Sequence, residues 1–113
     1  MAAKGKRFRI CRWQRGRGRR LAEHLGYPGD VLDRLPAGAI ESFAGVGYFF
    51  DLANLNQGET VVDMGSGSGM DVFFAALRVG LAGSVIGIDF TVEQLKKARR
   101  LAAEAGFLLA VKT

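Results

Sequence analysis

From residue 58 onward, hydrophobic and polar positions fall into a regular alternation of elements. Glu59 to Met64 carries the β-branched run Thr60-Val61-Val62 and predicts a buried strand. Gly65 to Gly69 is a glycine loop, and Asp71 to Val79 predicts a largely apolar helix. Phe73, Phe74 and Leu77 are expected to pack that helix onto a sheet. Gly80 and Gly83 turn the chain into a second strand over Ser84 to Phe90, built on Val85, Ile86 and Ile88. Thr91 and Gln94 have the spacing of a capping box, and the following helix runs to about Ala105. Its apolar face carries Val92, Leu95, Ala98, Ala102 and Ala105, and Gly106 stops it. Phe107 to Lys112 is apolar and predicts a third strand.

Before residue 58 the pattern is helical and broken. Arg19 to Gly26 predicts a short helix with Leu21 and Leu25 on one face, interrupted by Pro28-Gly29. Asp30 to Leu35 predicts one or two turns, Pro36 opens a helix to about Phe43, and Tyr48 to Leu55 predicts another. Phe43, Tyr48, Phe49 and Phe50 read as packing residues or as a lid over a site, and His24 as a surface or internally bonded histidine. The whole predicts an α/β fold: a partial doubly wound, Rossmann-like parallel sheet with an N-terminal helical cap. The expected organisation is a basic, flexible arm over 1–20, the cap over 21–57 and the sheet unit over 58–113.

Charge changes the picture only at one end. The chain has 113 residues and a net charge of +5, but nine of its sixteen basic residues and none of its eleven acids lie in residues 1–20. A mildly acidic globule thus carries a basic arm. Residues 4–20, with Phe8 and Trp13 among them, suit contact with nucleic acid; the Arg15–Gly18 repeat equally suits a solvated terminus. Neither a membrane span nor a secretory signal is visible, so a cytoplasmic protein is expected. A single cysteine, Cys11, excludes an internal disulfide, and with one histidine the chain offers no zinc cluster; no metal is expected.

The candidate chemistry lies in Val61-Val62-Asp63-Met64-Gly65-Ser66-Gly67-Ser68-Gly69, with Asp89 twenty residues after Gly69. Alternating glycines let the backbone turn sharply and let a ligand lie against it. An acid ending the second strand is placed to accept hydrogen bonds from ribose hydroxyls. A dinucleotide loop would need glycine at 70, where Met70 stands. Asp63 beside the loop favours a cationic amine and repels a pyrophosphate. An amino-acid-bearing nucleoside fits this set better than a dinucleotide.

On these residues, with Leu35-Pro36, Ser42-Phe43-Ala44-Gly45-Val46-Gly47, Gly58-Glu59-Thr60 and Val85-Ile86-Gly87-Ile88-Asp89, the chain from about 36 to 106 resembles the opening of a class I S-adenosylmethionine-dependent methyltransferase. More narrowly it resembles the arsenite methyltransferase-like branch. The resemblance implies S-adenosylmethionine as cofactor, with Asp63, Gly65, Gly67 and Gly69 at its methionine end, Asp89 at the ribose and Phe90 on the adenine. Ser66 and Asp71 are implied to line the same loop. The arsenite enzymes have a cysteine where Val46 stands here, so arsenic methylation is not expected. Family members continue well beyond the point matched by Thr113, which implies a truncated domain with the first strand left as an edge, and hence a homodimer. Three functions stay open: a methyltransferase of unknown substrate, a catalytically silent binding or assembly module, and a nucleic-acid-associated protein acting through residues 4–20.

Overall fold

A computed structural model describes residues 18–45 and 47–107 and the backbone of 110–112. The expected basic arm, apart from its last residues, and Val46 lie outside the described residues. Four short helices form the cap: α1 (Arg19–Leu25), α2 (Gly29–Leu32), α3 (Ala37–Glu41) and α4 (Phe50–Ala53). The sheet unit follows as β1 (Thr60–Met64), α5 (Met70–Val79), β2 (Ser84–Ile88), α6 (Val92–Ala105) and β3 (Ala110–Lys112). No helix among the described residues is long and apolar enough to cross a membrane.

The three strands are parallel in the order β1-β2-β3, with Val62 opposite Ile86 and Ile86 opposite Ala110. Two crossovers stepping the same way, both right-handed as this connection demands, put α5 and α6 on one face of the sheet. Their shared packing agrees: Phe73 and Phe74 of α5 join Leu101 and Ala102 of α6 in one cluster with the cap residues Tyr27, Leu32, Leu35, Ile40 and Phe43. A second cluster, Val72, Ala75 and Val79 with Val85, fills the space between α5 and the sheet. The molecule is therefore layered as sheet, then α5 and α6, then cap.

This layering corrects one expectation. Phe74 and Leu77 join the cluster that includes the cap, Phe73 meets Phe107 beyond α6 with ring centroids 5.0 Å apart, and the smaller Val72, Ala75 and Val79 meet the sheet. Helix α5 is apolar on nearly every side because it is the middle layer and has two surfaces to bury. Aromatic rings fill the wider gap. Phe74 is fully buried, its ring centroid 4.2 Å from that of Phe50 and 5.5 Å from that of Tyr27, with the Arg78 guanidinium 5.1 Å away over its face.

A second correction concerns β1. Burial was expected along the strand, but it alternates. Val61 and Asp63 turn toward the helices, while Val62 is 51% and Met64 74% exposed. The far face of the sheet has no helix among the described residues, and β1 is its edge. The paired positions on that open face are Thr60 with Ser84, Val62 with Ile86 and Met64 with Ile88. The Ser84 hydroxyl donates to the Thr60 hydroxyl at 3.1 Å across the first of these pairs.

One further expectation, the capping box, comes out differently, while the surface reading of His24 holds. Thr91 is the N-cap of α6 but makes no side-chain capping bond, so no capping box forms; Gln94 is turned elsewhere. His24 is exposed.

Chemical denaturation checks the layering. Phe74→Ala opens a cavity among the rings of Tyr27, Tyr48 and Phe50 and is expected to lower stability by about 3–5 kcal/mol. Leu81→Ala, at a fully exposed leucine, is expected to change it by no more than about 0.5 kcal/mol.

Candidate functional site

The glycine loop leaves β1 at Met64 and enters α5 at Met70. Gly65, Gly67 and Gly69 have φ of 76°, 57° and 101°. All three lie in the left-handed region, where a side chain is strained. A Cβ on Gly65 or Gly67 would meet nothing within 4 Å. The loop backbone therefore borders open space, which the absence of side chains keeps open.

Hydrogen bonds to the end of β2 hold the loop in place. The amides of Gly65 and Ser66 both donate to the Ile88 carbonyl, at 2.6 and 2.9 Å. The Gly67 amide donates to Asp89 Oδ2 at 2.7 Å, and the Thr91 amide to Asp89 Oδ1 at 2.8 Å. The amides of Thr91 and Gly67 hold the Asp89 carboxyl below its ordinary pKa. Gly87 allows the close approach beneath: a Cβ there would stand 2.8 Å from Ser66 Oγ and 3.0 Å from Val72.

Between this loop and the cap lies a cavity of about 290 Å³. Asp63, Gly65, Ser66, Gly67, Gly69 and Asp71, six of the eight residues singled out in the sequence, line it. Asp89 and Phe90 do not. Asp89 reaches it only through its bond to Gly67, and the Phe90 ring is fully exposed beside it in sequence.

The cap supplies the opposite wall through Ala39, Ser42 and Phe43–Gly45, and Gln94 of α6 adds a polar group. Sequence reasoning named none of Ala39, Ser68, Met70 and Gln94 as site residues, and it used Ser42, Ala44 and Gly45 only as marks of resemblance, with Phe43 read as packing or lid. Gln94 carried a signal, since it is a polar residue within the apolar period of α6, but the capping pattern gave it a different use.

The electrostatics of the cavity are one-sided. Burial, followed by the charges of Asp71 and Asp89, pushes the Asp63 carboxyl up to about 6. Burial also raises Asp71, against a hydrogen bond from the Tyr27 hydroxyl that lowers it. Among the described residues no lysine or arginine lines the cavity; Lys97 donates to the Ser42 hydroxyl at the wall. Ser66 Oγ is buried without a hydrogen-bond partner. Two shielded carboxylates in one cavity fit a ligand that brings positive charge. Among the described residues no three histidine, cysteine, aspartate or glutamate side chains gather as metal ligands.

Comparison with known proteins agrees with this geometry. Residues 55–112 match the family described as methyltransferase domain. An arsenite methyltransferase of Halobacterium salinarum is 43% identical over 83 residues, which cover 74% of this chain and 21% of that protein. The structure of an arsenic(III) S-adenosylmethionine methyltransferase from Chlamydomonas reinhardtii superposes with a TM-score of 0.60 at 30% identity, covering 74% of this chain and 30% of that one. An RNA methyltransferase from Salinibacter ruber, solved with S-adenosyl-L-homocysteine, gives a TM-score of 0.51 at 30% identity over 74% of this chain and 46% of its own. The chain thus spans about a fifth of the length of the curated relative named here. With strand, glycine loop and second-strand acid arranged as described, the chain belongs to the class I S-adenosylmethionine-dependent methyltransferase family, on its arsenite methyltransferase-like branch.

Proposed function

We propose that this chain binds S-adenosylmethionine and its demethylated product S-adenosylhomocysteine in the cavity between the glycine loop and the cap, as the cofactor-holding part of a methyl-transfer protein. One observation carries the reading. Asp63 and Asp71, both shielded and both raised in pKa, line the same cavity as three left-handed glycines.

When bound, the cofactor supplies a methyl group made electrophilic by a sulfonium centre. The chain's own residues do the holding. Asp63 offers a carboxylate to the ammonium of the methionine end, and Gly65, Gly67 and Gly69 keep the backbone bare for close approach. The Ser66 hydroxyl stays beneath the loop against Gly87, so Ser66 contributes its backbone to the cavity wall. Each Asp89 oxygen accepts one backbone amide and retains a lone pair for a ribose hydroxyl. The exposed Phe90 ring, next in sequence, suits stacking on the adenine. Val46 in place of the cysteine of the arsenite enzymes supports an acceptor other than trivalent arsenic.

The open face of the sheet supports self-association as well. A second copy pairing along the β1 edge would satisfy its free backbone groups and set the exposed Val62 and Met64 beside side chains of the added strand.

Titration calorimetry with S-adenosylhomocysteine is expected to show one site per chain. Asp89→Ala is expected to abolish it, since the loop tie and the ribose acceptor go together; undiminished binding in that variant rejects the assignment. The pH dependence has a definite sign. The folded Asp63 pKa of about 6 lies above the ordinary value of 3.8, so the native state holds its proton more tightly than the unfolded chain. This carboxylate therefore subtracts stability above pH 6, and the penalty disappears as pH falls toward 4.

Asp63→Asn is expected to stabilise the free protein by about 1–2 kcal/mol at pH 7.5, less than the whole shift implies because water still reaches the group. It should do nothing near pH 4 and should weaken S-adenosylhomocysteine at least about tenfold at neutral pH. In the unaltered protein, affinity is expected to be level above pH 7 and to fall below pH 6. Light scattering across micromolar concentrations tests self-association: a dimer is expected, and Val62→Lys should shift it to monomer.

A further inference from the structure

We propose that Tyr27, a residue of the cap remote from the glycine loop in sequence, is a positioning residue for the amino-acid end of the cofactor, acting through Asp71. The inference rests on the cofactor reading above.

The Tyr27 hydroxyl donates to Asp71 Oδ1 at 2.5 Å across 44 residues of sequence. It also lies 3.5 Å from the Gly47 carbonyl. A phenol has one proton to give, and the shorter contact with the charged acceptor takes it. The ring that carries this hydroxyl is clamped. It is 3% exposed and meets Phe43, Tyr48 and Phe74 edge-on, at centroid distances of 5.2, 4.8 and 5.5 Å. Packing thus aims the hydroxyl, and the hydroxyl fixes the carboxylate.

Asp71 stands in the first turn of α5 and lines the cavity beside Asp63. Left alone, two shielded carboxylates in one cavity favour protonation of one of them. The Tyr27 bond opposes this at Asp71 by stabilising its charged form, and it occupies Oδ1 while leaving Oδ2 outside that bond. Arg78, the cation of the same helix, is engaged by the Tyr48 hydroxyl at 3.2 Å and by the Phe74 ring. A single oriented oxygen with retained negative charge is a partner for an ammonium group. The pair Asp63 and Asp71 would then recognise the amino acid, with Asp89 and Phe90 left to the nucleoside.

This division of labour makes the test ligand-selective. Calorimetry on the full chain compares S-adenosylhomocysteine with methylthioadenosine, which keeps the nucleoside thioether and lacks the amino acid. Tyr27→Phe preserves the ring and removes only the hydroxyl. It is expected to weaken S-adenosylhomocysteine about tenfold and to leave methylthioadenosine within about twofold of the unaltered protein. Asp71→Asn should show the same selective loss, and the double variant should bind no worse than Asp71→Asn alone.

Equal loss of both ligands in Tyr27→Phe marks a merely structural role and overturns the proposal, as does full retention of both. Should Tyr27→Phe fail to fold, Asp71→Asn decides, and an unselective effect there overturns the proposal. If the unaltered protein binds neither ligand, the cofactor reading itself falls and takes this inference with it. Binding of S-adenosylhomocysteine without the selective loss rejects Tyr27 alone.

Discussion

The glycine loop is shaped by the end of the neighbouring strand. A run of glycines has no preference for one conformation and loses much entropy when fixed. Here three amide protons are claimed at once, two by the Ile88 carbonyl and one by the Asp89 carboxylate. That arrangement depends on β1 and β2 being adjacent and in register, with Met64 opposite Ile88. It depends also on Gly87, where any side chain would push Ser66 and Val72 away. Asp89 therefore has two uses. One is to define the loop, and it is visible in the free protein; the other, under the proposed function, is to receive a ribose. The first use already prepares the second, because the carboxylate is held ionised and oriented by amides before any ligand arrives.

The opposite holds on the other side of the cavity. Asp63 and Asp71 are shielded from water without a cation among the described lining residues, and both are harder to ionise than ordinary carboxylates. Neither arrangement helps the fold. A protein selected for stability alone would place an amide or an apolar residue at 63. Retaining two such groups is the kind of local loss that binding of a positively charged ligand recovers. Hydrogen bonding relieves Asp71 from the cap side, and no described residue does the same for Asp63.

How much of this could be read in the sequence follows from the range of the interactions involved. Strand, loop, helix and strand from Thr60 to Ile88 were legible because their signals are local: β-branched runs, alternating glycines and a terminal acid at fixed spacing. Six of the eight singled-out residues met in one cavity for the same reason. What could not be read is what approaches from far along the chain. Nothing around Tyr27 points to Asp71, and nothing in the apolar run of α5 says which face meets the sheet. The run was assigned to the sheet because two-layer packing is the simpler case. A helix apolar on all sides was the available sign of a third layer. The exposure of β1 likewise depends on what covers the far face of the sheet, which no local pattern encodes.

The third layer also explains why cavity and core are not separable in this molecule. Ala39, Phe43 and Met70 belong at once to the main hydrophobic cluster and to the cavity wall. Phe43 meets Tyr27 edge-on, Tyr27 meets Phe74, and Phe74 rests against Phe50. The cap is thus held against α5 by a continuous set of rings, and the same rings set how far the cap wall stands from the glycine loop. Close-packed interiors transmit small displacements instead of absorbing them. A change that loosens this aromatic contact must shift residues 39–45 relative to the loop, and the cavity width is tied to the stability of the cap.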